Sequence, residues 1–108
     1  MKSKKVEAIL NRVSCKSYSD KKVPTSKIKL IAECGKNSPS AMNRQICNIT
    51  VVNSKRNVEK LRTLALKVAN RDCFYNAQTM ILVHAPREDK FCDTDCACIL
   101  ENMFIIRN

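Results

Sequence analysis

The spacing of apolar residues along the chain predicts four amphipathic helices. Apolar or small residues recur at i, i+3, i+4 and i+7 in four separate segments. These residues are Val6, Ile9, Leu10 and Val13; Ile28, Ile31, Ala32 and Gly35; Val58, Leu61, Leu64, Ala65 and Val68; and Cys96, Ile99, Leu100 and Met103. Thr25 or Ser26 is expected near the start of the second helix, and Gly35 is expected to be the residue that follows its end.

Two further segments have the pattern of strands. Residues 46–54, "ICNITVVNS", are rich in β-branched residues and alternate in polarity, and residues 79–85, "TMILVHA", form a continuous apolar run of strand length. The second pattern predicts a strand that is covered on both faces. The predicted order is therefore α-α-β-α-β-α, with no repeat or linker, which indicates one α+β domain over residues 1–108.

Between the second helix and the first strand lies a polar loop, residues 37–45, with the sequence "NSPSAMNRQ". Serine, asparagine and glutamine side chains are concentrated here between two apolar segments. This pattern is what a loop held against a flat ligand would require.

Charge is distributed unevenly along the chain. The formal net charge is +10, and eleven Lys and Arg residues against three acids give residues 1–44 a net charge of +8. Such a basic region favours a polyanionic partner or a phosphorylated ligand, and a solvated lysine-rich face is the alternative. The chain has one glycine, which excludes glycine-rich phosphate loops of the dinucleotide-binding and P-loop types. Side chains must therefore hold any phosphate that binds.

The sequence predicts a cytoplasmic location. No apolar run approaches the roughly 18–20 residues of a membrane span, and Glu7, Asn11 and Arg12 interrupt the apolar residues that a signal peptide would need. The seven cysteines fit a reducing compartment better than a disulfide framework. Cys92, Cys96 and Cys98 lack the usual metal-ligand spacing, and small packing residues on a helix are the preferred interpretation. We predict no metal site.

A basic segment, residues 12–18, follows the first helix. Arg12, Ser14 and Lys16 alternate, so in an extended segment all three side chains would point the same way. A planar guanidinium, a hydroxyl and an ammonium together suit a phosphate monoester.

The basic segment, the polar loop and the last helix together resemble three ordered motifs of the FMN-dependent nitroreductase family. The basic segment matches R-x-S-x-[RK]-x-[FY] at Arg12, Ser14, Lys16 and Tyr18. The polar loop matches P-S-x-x-N-x-Q at Pro39, Ser40, Asn43 and Gln45. The last helix is similar to the family's D-x-A-x-x-x-[QE]-N-M at Asp95, Ala97, Glu101, Asn102 and Met103.

The resemblance implies a nitroreductase-like fold, with helices packed on a mainly antiparallel sheet, and FMN as the cofactor. Arg12, Ser14 and Lys16 would hold the 5′-phosphate, and the polar loop would contact the isoalloxazine ring through Pro39, Ser40, Asn43 and Gln45. Asn70 resembles a further ring contact, and a helix C-cap is its alternative role.

The chemistry implied by the resemblance is hydride transfer from NAD(P)H through FMN to a nitroaromatic, quinone or similar acceptor. The family's flavin sites are built by two subunits, so a homodimer is expected. The cofactor carries the difficult chemistry, and we predict no side chain that acts as nucleophile or base.

Family members are longer than 108 residues, so the resemblance also implies a domain incomplete at its C-terminus, whose activity is uncertain. Two alternative functions are a non-catalytic remnant with weak or no flavin binding and a basic nucleic-acid-binding module. The five aromatic residues are not interleaved with basic ones as single-strand binders require, so nucleic acid is the least favoured partner.

Overall fold

A computed structural model of the chain describes residues 3–107. The elements follow the predicted order, α1 (Lys4–Leu10), α2 (Thr25–Lys36), β1 (Asn48–Val52), α3 (Lys55–Ala69), β2 (Met80–His84) and α4 (Cys92–Arg107), with one short 3₁₀ turn (Ala41–Asn43) inside the polar loop. The strands form a two-stranded sheet with antiparallel pairing. The α+β class and the antiparallel sheet are thus confirmed.

The chain divides into two compact units. The first unit contains α1, α2, the polar loop and α4, and the second contains Ser14–Val23 and Thr50–Leu82. The prediction of a single domain over residues 1–108 stays a prediction.

Helix α2 packs against α4 in the first unit. The buried apolar side chains there are Ile28 from α2 with Ile99 and Met103 from α4. Gly35 lies within α2 and is buried, so its predicted place after the helix end was wrong. A Cβ atom at Gly35 would lie 3.0 Å from Cγ of Met103 and 3.1 Å from Cγ2 of Ile99. The glycine therefore permits close approach of the two helices and does not end one.

Helix α1 begins at the N-cap Ser3, whose hydroxyl accepts from the N–H of Val6. The predicted apolar stripe is on this helix, except that Val13 lies beyond its end. The stripe does not face a core, since Ile9 and Leu10 are 59% and 61% exposed.

The second unit contains α3 and most of each strand. Helix α3 is capped by Ser54, whose hydroxyl accepts from the N–H of Asn57, and it buries Val58. In β2, Met80 is buried, the next three residues are half-buried and His84 is exposed. The predicted covering of β2 on both faces is therefore incomplete.

No helix within residues 3–107 has the length and apolar character needed to cross a membrane.

Candidate functional site

The polar loop is tied to α4 by the carboxylate of Asp95. Ser40 Oγ donates a hydrogen bond to one carboxylate oxygen at 2.7 Å, and the N–H of Ala41 donates to the other at 3.2 Å. Asp95 is 4% exposed and is the only buried polar or charged residue in the described chain. It lies in the first turn of α4, where the helix dipole favours negative charge. Both carboxylate oxygens are thus used to hold the loop.

Further hydrogen bonds close the polar loop on itself. Ser40 Oγ also accepts from the N–H of Gln45 at 2.9 Å, and the side-chain amide of Gln45 donates to Asn43 Oδ1 at 3.2 Å. The guanidinium of Arg44 pairs with Asp89. The loop is fixed both within itself and to the chain before α4.

The backbone of the polar loop is strained. Met42, Asn43 and Gln45 each have φ of 54°, in the left-handed region that non-glycine residues rarely adopt. Each such residue costs about 1–3 kcal/mol and persists where surrounding contacts determine it, often in ligand-binding segments. The hydrogen bonds through Ser40 and Asp95 hold the polar loop in this conformation.

A cavity of about 530 Å³ opens beside the polar loop, within the range of about 300–1,000 Å³ found for small-molecule sites. Pro39 and Ile99 contribute apolar surface, and serine, glutamine and asparagine side chains contribute polar groups. The lining residues are Lys36, Ser38, Pro39, Ser40, Gln45, Cys47, Asn48, Ile49, Asp95 and Ile99. The arrangement suits a ligand with an apolar body and a polar rim.

Three of the four polar-loop residues predicted to contact the ring line this cavity: Pro39, Ser40 and Gln45. Asn43 belongs to the same loop, is exposed and bonds with Gln45. The hydroxyl of Ser40 already donates one hydrogen bond and accepts another within the chain, which leaves it a single acceptor site. Ser40 therefore positions the loop whether or not it also touches a ligand.

The residues predicted to bind phosphate lie in an irregular segment and differ in their contacts. Arg12 is in the first unit, with its Nε 3.7 Å from a carboxylate oxygen of Glu101. Ser14 and Lys16 are in the second unit and are exposed, and their side chains make no hydrogen bond or ion pair with residues 3–107. Tyr18, which completes the motif, is held by Asn76, whose side-chain oxygen accepts from its N–H at 2.8 Å.

Asn70 is the C-cap of α3. It has φ of 56° and ψ of 27°, and its N–H donates to the carbonyl of Leu66. The capping role is therefore present in the structure. The ring contact for Asn70 stays a prediction.

Two acids that organise the site were not recognised as such in the sequence. Asp95 was matched to the last-helix motif, with no partner assigned to it, and Asp89 was not singled out. No local pattern marks either residue, because the partners Ser40 and Arg44 are 55 and 45 positions away. Among residues 3–107, no group of three or more potential ligand side chains is arranged to hold a metal ion.

The structure is thus an α+β protein with a cavity of small-molecule size beside the polar loop. The profile of the nitroreductase family matches residues 9–72, more than half of the 108 residues. The chain belongs to the nitroreductase family. No curated protein sequence gives a significant match.

Solved structures of nitroreductases share the fold. A nitroreductase with bound FMN from Bacteroides fragilis has a TM-score of 0.88 and 27% identity, over 97% of this chain and 64% of its own. A provisionally named NADH oxidase from Clostridium acetobutylicum has a TM-score of 0.78 and 25% identity, over 92% of this chain and 60% of its own. A nitroreductase with bound FMN from Desulfitobacterium hafniense has a TM-score of 0.86 and 23% identity, over 98% and 65%. The chain thus spans less than two thirds of the length of each of these relatives.

Proposed function

We propose that this chain binds FMN and serves a flavin oxidoreductase of the nitroreductase type. The reaction passes hydride from NAD(P)H through FMN to a nitroaromatic, quinone or similar small acceptor. One observation carries the proposal: a strained polar loop is held by the buried Asp95 beside a cavity of about 530 Å³, in a chain of this family.

The residues around the cavity fit the isoalloxazine ring of FMN, which has a flat apolar body and a polar rim. Pro39, Ile49 and Ile99 supply apolar surface. Asn48 and Gln45 offer side-chain amides, and Ser38 offers a hydroxyl. Because Asp95 fixes the loop before any ligand arrives, binding costs less ordering of the protein.

The phosphate of FMN is assigned to Arg12, Ser14 and Lys16. The exposed Ser14 and Lys16 make no competing side-chain bond within residues 3–107. Arg12 forms a half-exposed ion pair with Glu101. Such an ion pair contributes only about 0–1 kcal/mol to stability. A phosphate that accepts charge-assisted hydrogen bonds from Arg12 would therefore compete well with Glu101 for the guanidinium.

When bound, FMN supplies the hydride chemistry. The chain's own residues bind and orient the ring through the polar loop, and they neutralise the phosphate through the basic segment. No proton transfer is assigned to a side chain of this chain.

A homodimer in the cytoplasm completes the proposal. The exposed stripe on α1, with Val6 at 42%, Ile9 at 59% and Leu10 at 61%, is the kind of contiguous apolar surface that marks a protein–protein contact. The seven cysteines, an odd number, fit a reducing compartment better than a disulfide framework.

The proposal is tested by mixing the purified protein with FMN, separating it by gel filtration and recording the visible absorption spectrum. We expect flavin absorbance that elutes with the protein at the volume of a dimer and is bleached by NADH or NADPH without oxygen. Retained flavin that NADH and NADPH do not bleach would support flavin binding and contradict the oxidoreductase activity. Absence of retained flavin would contradict the proposal.

A further inference from the structure

Two cysteines meet beside the cavity. The sulfurs of Cys47 and Cys96 lie 3.4 Å apart, and both residues are half-buried. Cys47 precedes β1, and Cys96 follows Asp95 on α4. This contact joins segments 49 positions apart in the sequence, so local spacing gives no indication of it.

The two sulfurs are in van der Waals contact. An S–S bond is about 2.05 Å long, so the two sulfurs must approach by roughly 1.4 Å, a distance within the reach of side-chain rotation. Of the seven free cysteines, these two form the only sulfur–sulfur contact found in residues 3–107.

Cys92 is the obvious competitor, since it precedes Cys96 by one helical turn. Residues at i and i+4 on a helix have Cβ atoms about 5–6 Å apart, whereas a disulfide needs about 3.5–4.5 Å. The thiol of Cys92 also has other partners, the carboxylate of Asp93 at 3.5 Å and the carbonyl of Arg87 at 3.9 Å. A bond from Cys96 to Cys92 would therefore distort α4, whereas the sulfur of Cys47 already lies 3.4 Å from that of Cys96.

We propose that Cys47 and Cys96 are a reversible redox pair that forms a disulfide under oxidising conditions. With hydrogen peroxide as the oxidant, two S–H bonds and the O–O bond break and one S–S bond forms. The two thiols lose two electrons and two protons, and the peroxide becomes two molecules of water. A dithiol reductant reverses the change by thiol–disulfide exchange.

The disulfide would join the chain just after the polar loop to α4, on the wall that Cys47 and Asp95 share. Attack of Cys47 itself on the oxidant is expected to be slow at neutral pH. Burial, followed by the hydrogen bond with Cys96, raises the pKa of Cys47 to about 12, and the thiolate is the reactive form. The disulfide is thus expected to form during prolonged exposure to the oxidant. This modification does not depend on flavin binding.

The test treats the purified protein with hydrogen peroxide, blocks remaining thiols with N-ethylmaleimide and digests without reduction, using trypsin together with an enzyme that cleaves before aspartate. Cys47 is then the only cysteine in residues 45–55, and residues 95–107 contain Cys96 and Cys98 but not Cys92. We expect these two peptides to be joined, at their summed mass less two hydrogens, and to separate after reduction.

Three variants identify the cysteine that is bonded to Cys47. The linked peptide should persist in Cys98→Ser and Cys92→Ser and disappear in Cys96→Ser, and fragmentation of the wild-type peptide gives the same assignment without a variant. A link from Cys47 to any other cysteine would overturn the proposal. So would an unlinked Cys47 in protein whose exposed Cys73 has been oxidised.

Discussion

The polar loop and the basic segment differ in how much of their order exists before a ligand binds. In the loop, Ser40, Ala41 and Gln45 are joined to one another or to Asp95 by hydrogen bonds of 2.7–3.2 Å. In the basic segment, Ser14 and Lys16 make no side-chain bond with the described residues. The residues proposed to contact the ring are therefore ordered in advance, whereas Ser14 and Lys16, proposed to hold the phosphate, are left for the ligand to organise.

The largest expected effect follows from removing the anchor of the polar loop. Asp95→Ala deletes the acceptor of the hydroxyl of Ser40 and of the N–H of Ala41. Hydrogen bonds to a charged group contribute about 1.5–3 kcal/mol each. We expect the free energy of unfolding to fall by about 3–6 kcal/mol in urea denaturation.

Asp93→Ala is the matched control, because Asp93 lies in the same first turn of α4 but is exposed. Within residues 3–107 its carboxylate bonds only the thiol of Cys92. The variant loses the same charge near the helix N-terminus, worth about 0.3–1 kcal/mol. Equal losses in the two variants would mean that the loop does not depend on Asp95.

The basic segment is tested by comparing FMN with riboflavin, which lacks the phosphate. Arg12→Ala should weaken FMN binding by about 1.5–3 kcal/mol, which is roughly 10- to 100-fold, and should leave riboflavin affinity unchanged. The comparison is made by fluorescence titration. Equal loss for both ligands would place the role of Arg12 outside phosphate binding.

Glu101→Gln is measured in the same titration and should not weaken FMN binding. It releases Arg12 from the carboxylate at 3.7 Å, so FMN affinity should be retained or increased. A loss of FMN affinity in this variant would show that Glu101 supports the site and does not compete for Arg12.

A separate effect concerns stability at alkaline pH. Burial raises the pKa of Cys47 from 9.0 to about 12, so between these values the folded protein holds a proton that the unfolded chain has lost. The free energy of unfolding should therefore decline as pH rises from about 9 towards 12. Cys47→Ser lacks this contribution, and its decline over that interval should be shallower. Parallel pH profiles for the two proteins would refute the assignment.

Periodicity predicted the element order because burial on one face of a helix repeats every three to four residues. The rule for helix ends, in contrast, failed at Gly35. A glycine near a helix end indicates termination by local rules, while here the close approach of Met103 and Ile99 determines its place. The exposure of Ile9 and Leu10 could not be predicted either, because an apolar stripe on a helix can face the protein core or an exposed surface.

The candidate site was predictable only in part. Motif matching found Pro39, Ser40 and Gln45, which the structure brings to one cavity. It could not find the left-handed backbone at Met42 or the partners of Asp95, because these arise from contacts between distant segments. The pairing of Cys47 with Cys96 was missed for the same reason.

The most direct test of the central claim is a fluorescence titration of the wild-type protein, Asp93→Ala and Asp95→Ala with FMN. We predict that the wild-type protein and Asp93→Ala bind FMN with similar affinity. Asp95→Ala should bind at least about tenfold more weakly, the equivalent of about 1.4 kcal/mol, because its polar loop is no longer held in the binding conformation. Failure of the wild-type protein to bind FMN, or equal affinity in Asp95→Ala, would contradict the account.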